Sequence, residues 1–566
     1  MRYHILATDY DGTLAHHGGV TDATLEALKR LKASGRKIIL VTGRELDELM
    51  QIFPSYEIFD VIVAENGALI HQPATHEEFL LGERPPDSFI ENLRQQHVSP
   101  LSVGRVIVAT WEPHHIAVLE AIKQSGIEHQ VIFNKGAVMV LPPGINKAKG
   151  LQVALERMNY SMHNVVAIGD AENDNAMLTA AECGVATSNA LDAVKEQAAF
   201  TTSKDHGDGV AELIDLLTEN DLAPFDNRLQ KHYLELGKEQ NEKPFTISPY
   251  NQGILLAGTS GGGKSTLTTA FLESLIHQQY QFCLIDPEGD YIDFESTVVI
   301  GDTDHEPVLN EIIKLLENPQ QNVVICTLAI SLDKRPAFFN SFIAAFTELK
   351  NKSGHPHWLI VDEANHLMPV ETAHTFFSLP ANLNNIWLVT TEPNTLHKGI
   401  FSAIKTLIAI GEEPGKILEQ FATHKNVPFA TKSLQALPKG EAWVWQPDTH
   451  PQPYTIEAKD PVHVTKRHKR KYTTGVMEYN SFFFRGPENK LNLKAYNINV
   501  FAQLAEGVDE KTWLYHLKKN DYSGWFKNAL HDPTLAGLIY EVEQTNDNAE
   551  SSKQAILKFI KETYTV

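Results

Sequence analysis

Two short runs constrain this chain more than anything else in its 566 residues. One is Asp9-Tyr10-Asp11-Gly12-Thr13-Leu14; the other is Gly258-Thr259-Ser260-Gly261-Gly262-Gly263-Lys264-Ser265-Thr266. Each follows an apolar strand-like stretch and turns sharply at glycine, as where a parallel sheet feeds its next element. In the first, a carboxylate at a strand end can attack a phosphoryl group, giving an aspartyl-phosphate. A second carboxylate two residues on falls on the same side and can protonate the leaving oxygen. In the second, backbone N–H groups at a helix start cradle phosphate oxygens, Lys264 reaches the β/γ-phosphates and Ser265 holds Mg²⁺. The first reading needs a divalent cation, because anionic carboxylates repel a phosphate dianion.

Residues 1–220 alternate apolar runs (His4–Thr8, Lys37–Thr42, Val61–Ala64, Val165–Gly169) with helical patterns such as Asp22–Ser34. That predicts a parallel sheet covered by helices. Residues of about 75–143 read as a small α/β insert, with strands at Arg105–Thr110, Gln130–Phe133 and Ala137–Leu141 around a helix at His114–Ser125. Residues 221–245 are polar and read as a linker; 246–448 form a second alternating block. Residues 449–480 read as a basic linker containing Lys466-Arg467-His468-Lys469-Arg470-Lys471, and 481–566 as a small, mainly helical domain.

Further acids suit the N-terminal reading. Val165–Gly169 ends in Asp170, with Asn173 and Asp174 close behind. Val41-Thr42-Gly43-Arg44 offers a hydroxyl at another strand end, and Lys147 could neutralise a transferred phosphate. These pieces, in this order, resemble the haloacid dehalogenase-like (HAD) phosphatases. The fit is to the branch with an α/β cap between the second and third motifs, which includes Cof-type and sucrose-phosphatase-like enzymes. The resemblance spans residues 1–215 and implies a Rossmann-like core with a cap that chooses the substrate. It implies Asp9 as nucleophile, Asp11 as general acid/base, and Thr42 and Lys147 as phosphate ligands. Mg²⁺ would lie between Asp9, Asp170 and Asp174, with the Asp11 carbonyl assisting. Lys149 rivals Lys147, because the family's Lys-Gly pair is split here as Lys147-Ala148-Lys149-Gly150.

The second block adds His357-Trp358-Leu359-Ile360-Val361-Asp362-Glu363, an apolar strand ending in two acids. Asp362 would bind the Mg²⁺ shell and Glu363 would orient an attacking water. Leu284-Ile285-Asp286-Pro287-Glu288-Gly289-Asp290-Tyr291 resembles HerA-like ATPases, relatives of FtsK-type DNA pumps. That resemblance spans residues 245–445 and implies a RecA-like P-loop domain, ATP as cofactor and a homo-hexamer. The chain departs from the family at Thr391-Glu392-Pro393, where Gln-Arg-Pro is usual. Arg335 is the arginine-finger candidate within the block; between residues 221 and 450 the only other arginine is Arg228.

The formal net charge of −22 disfavours charge-driven nucleic-acid binding, although the basic run could make local phosphate contacts. Three scattered cysteines form neither a disulfide framework nor a zinc cluster. No signal-peptide pattern and no bilayer-length apolar run occurs, so a cytoplasmic protein without membrane partners is expected. The leading expectation is an Mg²⁺-dependent hydrolase of small phosphate monoesters, such as a sugar phosphate or phosphoglycolate, joined to an ATP-binding, ATP-hydrolysing domain. One alternative is an ATP-driven nucleic-acid-processing assembly in defence or repair, whose phosphatase acts on ends or nucleotides. The other is a phosphatase regulated by nucleotide binding with little turnover.

Overall fold

The computed structural model describes residues 1–370, 379–380, 383–429, 434–462, 481–487, 490–530 and 532–564. The basic run Lys466–Lys471 lies outside the described residues. Among those described, no helix is long and apolar enough to cross a membrane, and Cys183, Cys283 and Cys326 are free and buried.

The N-terminal sheet has eight strands. Their spatial order is Phe200–Thr201, Cys183–Ala186, Val165–Gly169, Ile5–Thr8, Lys37–Val41, Val61–Ala64, Leu69–Gln72 and Glu77–Leu80. The first six run parallel and the last two antiparallel. Ile5–Thr8 is buried at every position, as a strand covered on both faces must be. Two apolar clusters fill those faces, one around Leu6, Leu40 and Ile168, the other around Ala7, Ile39 and Ala167.

The insert is smaller than the sequence suggests, because Glu77–Leu80 belongs to the main sheet. It holds a four-stranded antiparallel sheet ordered Ser102–Val103, Val108–Trp111, Ala137–Leu141, Gln130–Asn134, with helices Asp87–Gln95 and His115–Ser125. The two-residue turn Lys135-Gly136 joins the last pair with positive φ at both positions (47° and 89°), the geometry of a tight hairpin.

A second, eleven-stranded sheet follows. Seven parallel strands lie in the order Thr406–Ile410, Gly253–Gly258, Ile386–Thr390, Trp358–Val361, Phe282–Asp286, Asn322–Cys326, Thr297–Ile300. Four antiparallel strands extend it: Glu441–Trp445, Tyr454–Ala458, Leu234–Glu239 and Pro244–Ile247. This corrects two expected linkers. Residues 234–239 and 244–245, read as part of a 221–245 linker, lie in the sheet strands Leu234–Glu239 and Pro244–Ile247, and 454–458, read as part of the 449–480 linker, is a strand too. Leu234, Leu236, Phe245, Ile247 and Ile456 point into the same apolar layer. Residues 482–564 build their own core from a short antiparallel pair, Phe482–Phe484 with Leu493–Ala495, and five helices between Ile498 and Tyr564.

Candidate active site

The parallel strands of the first sheet end together, and their ends bring the N-terminal candidates to one place. Asp9 follows Ile5–Thr8 and is 4% exposed. Asp170 follows Val165–Gly169, and Asp174 lies in the short turn after it; both are buried. Carboxylate oxygens of Asp9, Asp170 and Asp174 fall within 4.8 Å of one another. Lys147, the first residue of helix Lys147–Arg157, places its buried ammonium 2.5 Å from Asp9 Oδ1 and 2.6 Å from Asp174 Oδ1. Asp174 Oδ2 accepts the N–H groups of Asp170 and Ala171, both at 3.0 Å. Lys149 is exposed on the same helix, its ammonium 3.4 Å from Gln152, so Lys147 is the lysine of the site.

Burial, reinforced by the charge of Asp174 and partly opposed by Lys147, pushes the Asp9 carboxyl up to about 8. Burial likewise raises Asp170, against the pull of Lys135. Burial works against the Lys147 ammonium, yet Asp174 and Asp9 outweigh it and hold its pKa above the lysine range. Three crowded carboxylates, all oxygen donors, suit a hard divalent cation.

Asp11 stands apart from that trio. Its carboxylate receives a bidentate pair from Arg44, with both N···O distances 2.7 Å. Thr42 is buried at the end of Lys37–Val41; its Oγ1 accepts the Arg44 N–H at 3.2 Å. Gly12, with φ +88°, passes so close to the site that an added Cβ would lie 2.4 Å from Asp170 Oδ2.

Several contributors escaped sequence reasoning. Thr13 donates to Asp170 Oδ1 at 3.2 Å, and Asn189 reaches Oδ2 at 3.3 Å. Lys135, at the tip of the insert's hairpin, brings its ammonium 2.8 Å from Asp170 Oδ2. Glu65, fully buried with φ +51°, accepts the backbone N–H groups of Arg105, Val106 and Ile107 at 2.7–2.9 Å, tying core to insert. Arg44 had a signal, its place after Thr42-Gly43. Lys135 and Glu65 had none, because their partners are remote in sequence.

The second candidate cluster lies in the other sheet. Gly253–Gly258 ends in the loop Thr259-Ser260-Gly261-Gly262-Gly263, and helix Lys264–His277 begins at once. Gly261 and Gly263 have φ of +77° and +102°. Lys264 is 7% exposed and donates to the carbonyls of Gly258 (2.8 Å) and Thr259 (3.3 Å). Ser265 is half-buried and Thr266 exposed. Asp362, 3% exposed, ends a strand separated from Gly253–Gly258 by the single strand Ile386–Thr390. Glu363 beside it is held at φ +39°. Asp286 organises its own turn, accepting from the N–H groups of Glu288, Gly289 and Tyr291. Arg335 is buried and donates to the Ile330 carbonyl at 3.0 Å, while Glu392 pairs with Lys416 at 2.6 Å.

The N-terminal sheet, its inserted lid and the acids converging at its strand ends define a Rossmann-like core with an inserted cap. Residues 6–93 and 106–214 match the family model described as haloacid dehalogenase-like hydrolase. The phosphoglycolate phosphatase of Nitrosopumilus maritimus is 30% identical over 229 residues, 38% of this chain and 97% of that protein. The phosphoglycolate phosphatase of Methanothermobacter thermautotrophicus is 32% identical over 224 residues, 37% of this chain and 96% of its own. A 5-amino-6-(5-phospho-D-ribitylamino)uracil phosphatase of Bacillus subtilis is 26% identical, covering 37% and 96%. Through its N-terminal part the chain belongs to the haloacid dehalogenase-like hydrolases.

Proposed function

We propose that residues 1–220 hydrolyse small phosphate monoesters through a phosphorylated Asp9. The convergence of Asp9, Asp170 and Asp174 on the Lys147 ammonium carries this reading. Asp9 would attack phosphorus while the ester oxygen leaves with a proton from Asp11; water then cleaves the acyl phosphate, returning a proton to Asp11 and releasing inorganic phosphate. Asp9, Asp170, Asp174 and the Asp11 carbonyl would hold Mg²⁺. The ion supplies charge neutralisation for the incoming phosphate. Thr42 and Lys147 would bind the transferred group, and Arg44 would orient the Asp11 carboxylate. Phosphoglycolate, named for two relatives, is the first substrate to try. The test is Asp9→Asn: p-nitrophenyl phosphate hydrolysis should fall by roughly 10³ or more and no phosphoenzyme should form. A wild-type rate would end the proposal.

For the second sheet we propose a site for Mg²⁺-ATP, with residues 258–266 around the phosphates and Ser265 and Asp362 at the metal. The strand–loop–helix path and the left-handed Glu363 support it. Of the two modes, nucleotide-responsive regulation with slow turnover has a specific observation in its favour. The arginine-finger candidate Arg335 is buried against its own chain, and a neighbouring subunit could not receive it. ATP binding measured beside ATP turnover separates the modes.

A further inference from the structure

The cap brings a cation to the Asp9 site that the chemistry proposed above leaves without a task. Lys135 stands at the tip of the hairpin joining Gln130–Asn134 to Ala137–Leu141, and its ammonium lies 2.8 Å from Asp170 Oδ2. The same ammonium is 2.8 Å from where a Cβ on Gly12 would stand, directly over the residue that follows Asp11. That is the side from which the ester oxygen would leave, because Asp11 is its proton donor in the proposed reaction. The neighbouring cations are committed elsewhere. Lys147 is buried between Asp9 and Asp174, and Arg44 is paired with Asp11. Arg105 of the cap is held by Asp47 and Glu78, and Arg94 by Glu91.

Lys135 is held differently. Its side chain is nearly half exposed, and the oxygen it touches is one assigned above to Mg²⁺. Its flexible four-carbon stem lets the ammonium turn to another anion while the backbone stays in place. The hairpin itself is braced. Trp111 packs its ring on the turn, 3.7 Å from where a Cβ on Gly136 would stand. Ala137 pairs with Trp111 and shares its face of the cap sheet, as does Met139 two residues on. Met139 Sδ reaches within 3.8 Å of where a Cβ on Gly43 would stand, so this face of the cap meets the core beside Thr42. The ammonium therefore sits next to the acids that would hold phosphorus. Any ligand that spans both must carry its two anionic groups only a few atoms apart.

We propose that Lys135 receives a carboxylate on the alcohol portion of the substrate, so that the site selects phosphate esters of short hydroxy acids. This rests on the phosphatase reading of residues 1–220 and adds the residue that reads the leaving group. A carboxylate entering beside Asp9, Asp11, Asp170 and Asp174 is repelled unless a cation meets it. One ammonium balances one carboxylate, and an uncharged alcohol leaves that ammonium without its partner, so the discrimination is by charge. Lys135 moves no proton in the reaction; it binds and orients.

The test compares 2-phosphoglycolate with its isosteric amide, which replaces the carboxylate by an uncharged group of the same size. With the full-length protein and Mg²⁺, kcat/KM should favour the carboxylate ester by about thirtyfold or more. Lys135→Met should lower that ratio by about tenfold or more, and Lys135→Arg, which keeps the charge, should retain most of it. Binding reads the same preference without turnover. By calorimetry in an Asp9→Asn background the carboxylate ester should bind more tightly than the amide, and adding Lys135→Met should erase the difference. A wild-type protein that treats the two esters alike overturns the inference and leaves the phosphatase reading standing. So does a preference that survives Lys135→Met, or hydrolysis of p-nitrophenyl phosphate with neither ester accepted. Failure to hydrolyse any of the three removes the phosphatase reading and the inference with it.

Discussion

The ammonium of Lys147 lies 2.5 Å from Asp9 Oδ1 and is 1% exposed. It bridges to Asp174 as well, so one cation serves two buried carboxylates. Removing it strands those charges, which makes the site's electrostatics part of the fold's stability.

Lys147→Met should therefore destabilise the protein by about 3 kcal/mol in urea titration and lower p-nitrophenyl phosphate turnover by about 10² or more. Lys149→Ala removes an exposed ammonium and should stay within about 0.5 kcal/mol, with turnover unchanged. Equal effects of the two substitutions would contradict the assignment of Lys147.

Lys135 competes for Asp170. Its side chain is nearly half exposed, yet its ammonium sits 2.8 Å from an oxygen that Mg²⁺ would use. Lys135→Ala should lower the half-saturating Mg²⁺ concentration by about threefold, since a rival cation is gone. The same variant should raise KM for phosphoglycolate more than it lowers kcat, because the hairpin tip reaches the site from the cap. Steady-state kinetics over a Mg²⁺ series reads both effects, and a weakened response to Mg²⁺ would refute the competition.

Gly67 is fixed by close approach. It has φ +104°, and an added Cβ would lie 2.0 Å from the carbonyl oxygen of Asn146, the residue that caps the Lys147 helix. Gly67→Ala must push that helix start, and Lys147 with it. We expect a loss of about 2 kcal/mol or more and a fall in kcat larger than the stability change alone would produce at 25 °C. Thermal unfolding and turnover on the folded fraction separate the two.

Glu65 bonds three N–H groups of the cap from a fully buried position. Glu65→Ala leaves those donors without their acceptor and should cost about 3 kcal/mol. Limited proteolysis should then cut near residues 104–107 faster than elsewhere, with KM rising as the cap loosens. Unchanged cleavage there would mean that other contacts hold the cap.

The placement of Asp9, Asp11, Asp170 and Asp174 was legible because each belongs to a strand end whose apolar run is visible in sequence. The choice between Lys147 and Lys149 was not: two residues on one helix differ only in which face is buried, and that depends on Gly67 and the sheet beneath. Arg44, Lys135 and Glu65 act on partners brought close only by the chain's crossing of the sheet or by the cap's docking. Residues 234–245 and 454–458 looked like linkers because outward-facing polar positions interrupt the buried ones in their strands. Glu235, Thr246 and Glu457 face outward and dilute the apolar signal of Leu234, Leu236, Phe245 and Ile456.

The second site makes its own demand. Glu363 adopts φ +39°, ψ +55°, a conformation that costs a glutamate of order 1 kcal/mol and persists only where surrounding structure imposes it. If that strain serves to aim the carboxylate at an attacking water, Glu363→Gln keeps nucleotide affinity and loses at least about tenfold in single-turnover hydrolysis. Lys264→Ala, by removing the ammonium at the loop, should abolish binding of a fluorescent ATP analogue. With Arg335 buried, wild-type turnover should sit on the order of 10³-fold below a rate assisted by an arginine finger. Fast hydrolysis that survives Glu363→Gln would leave the left-handed backbone without a catalytic purpose and return it to a purely structural turn.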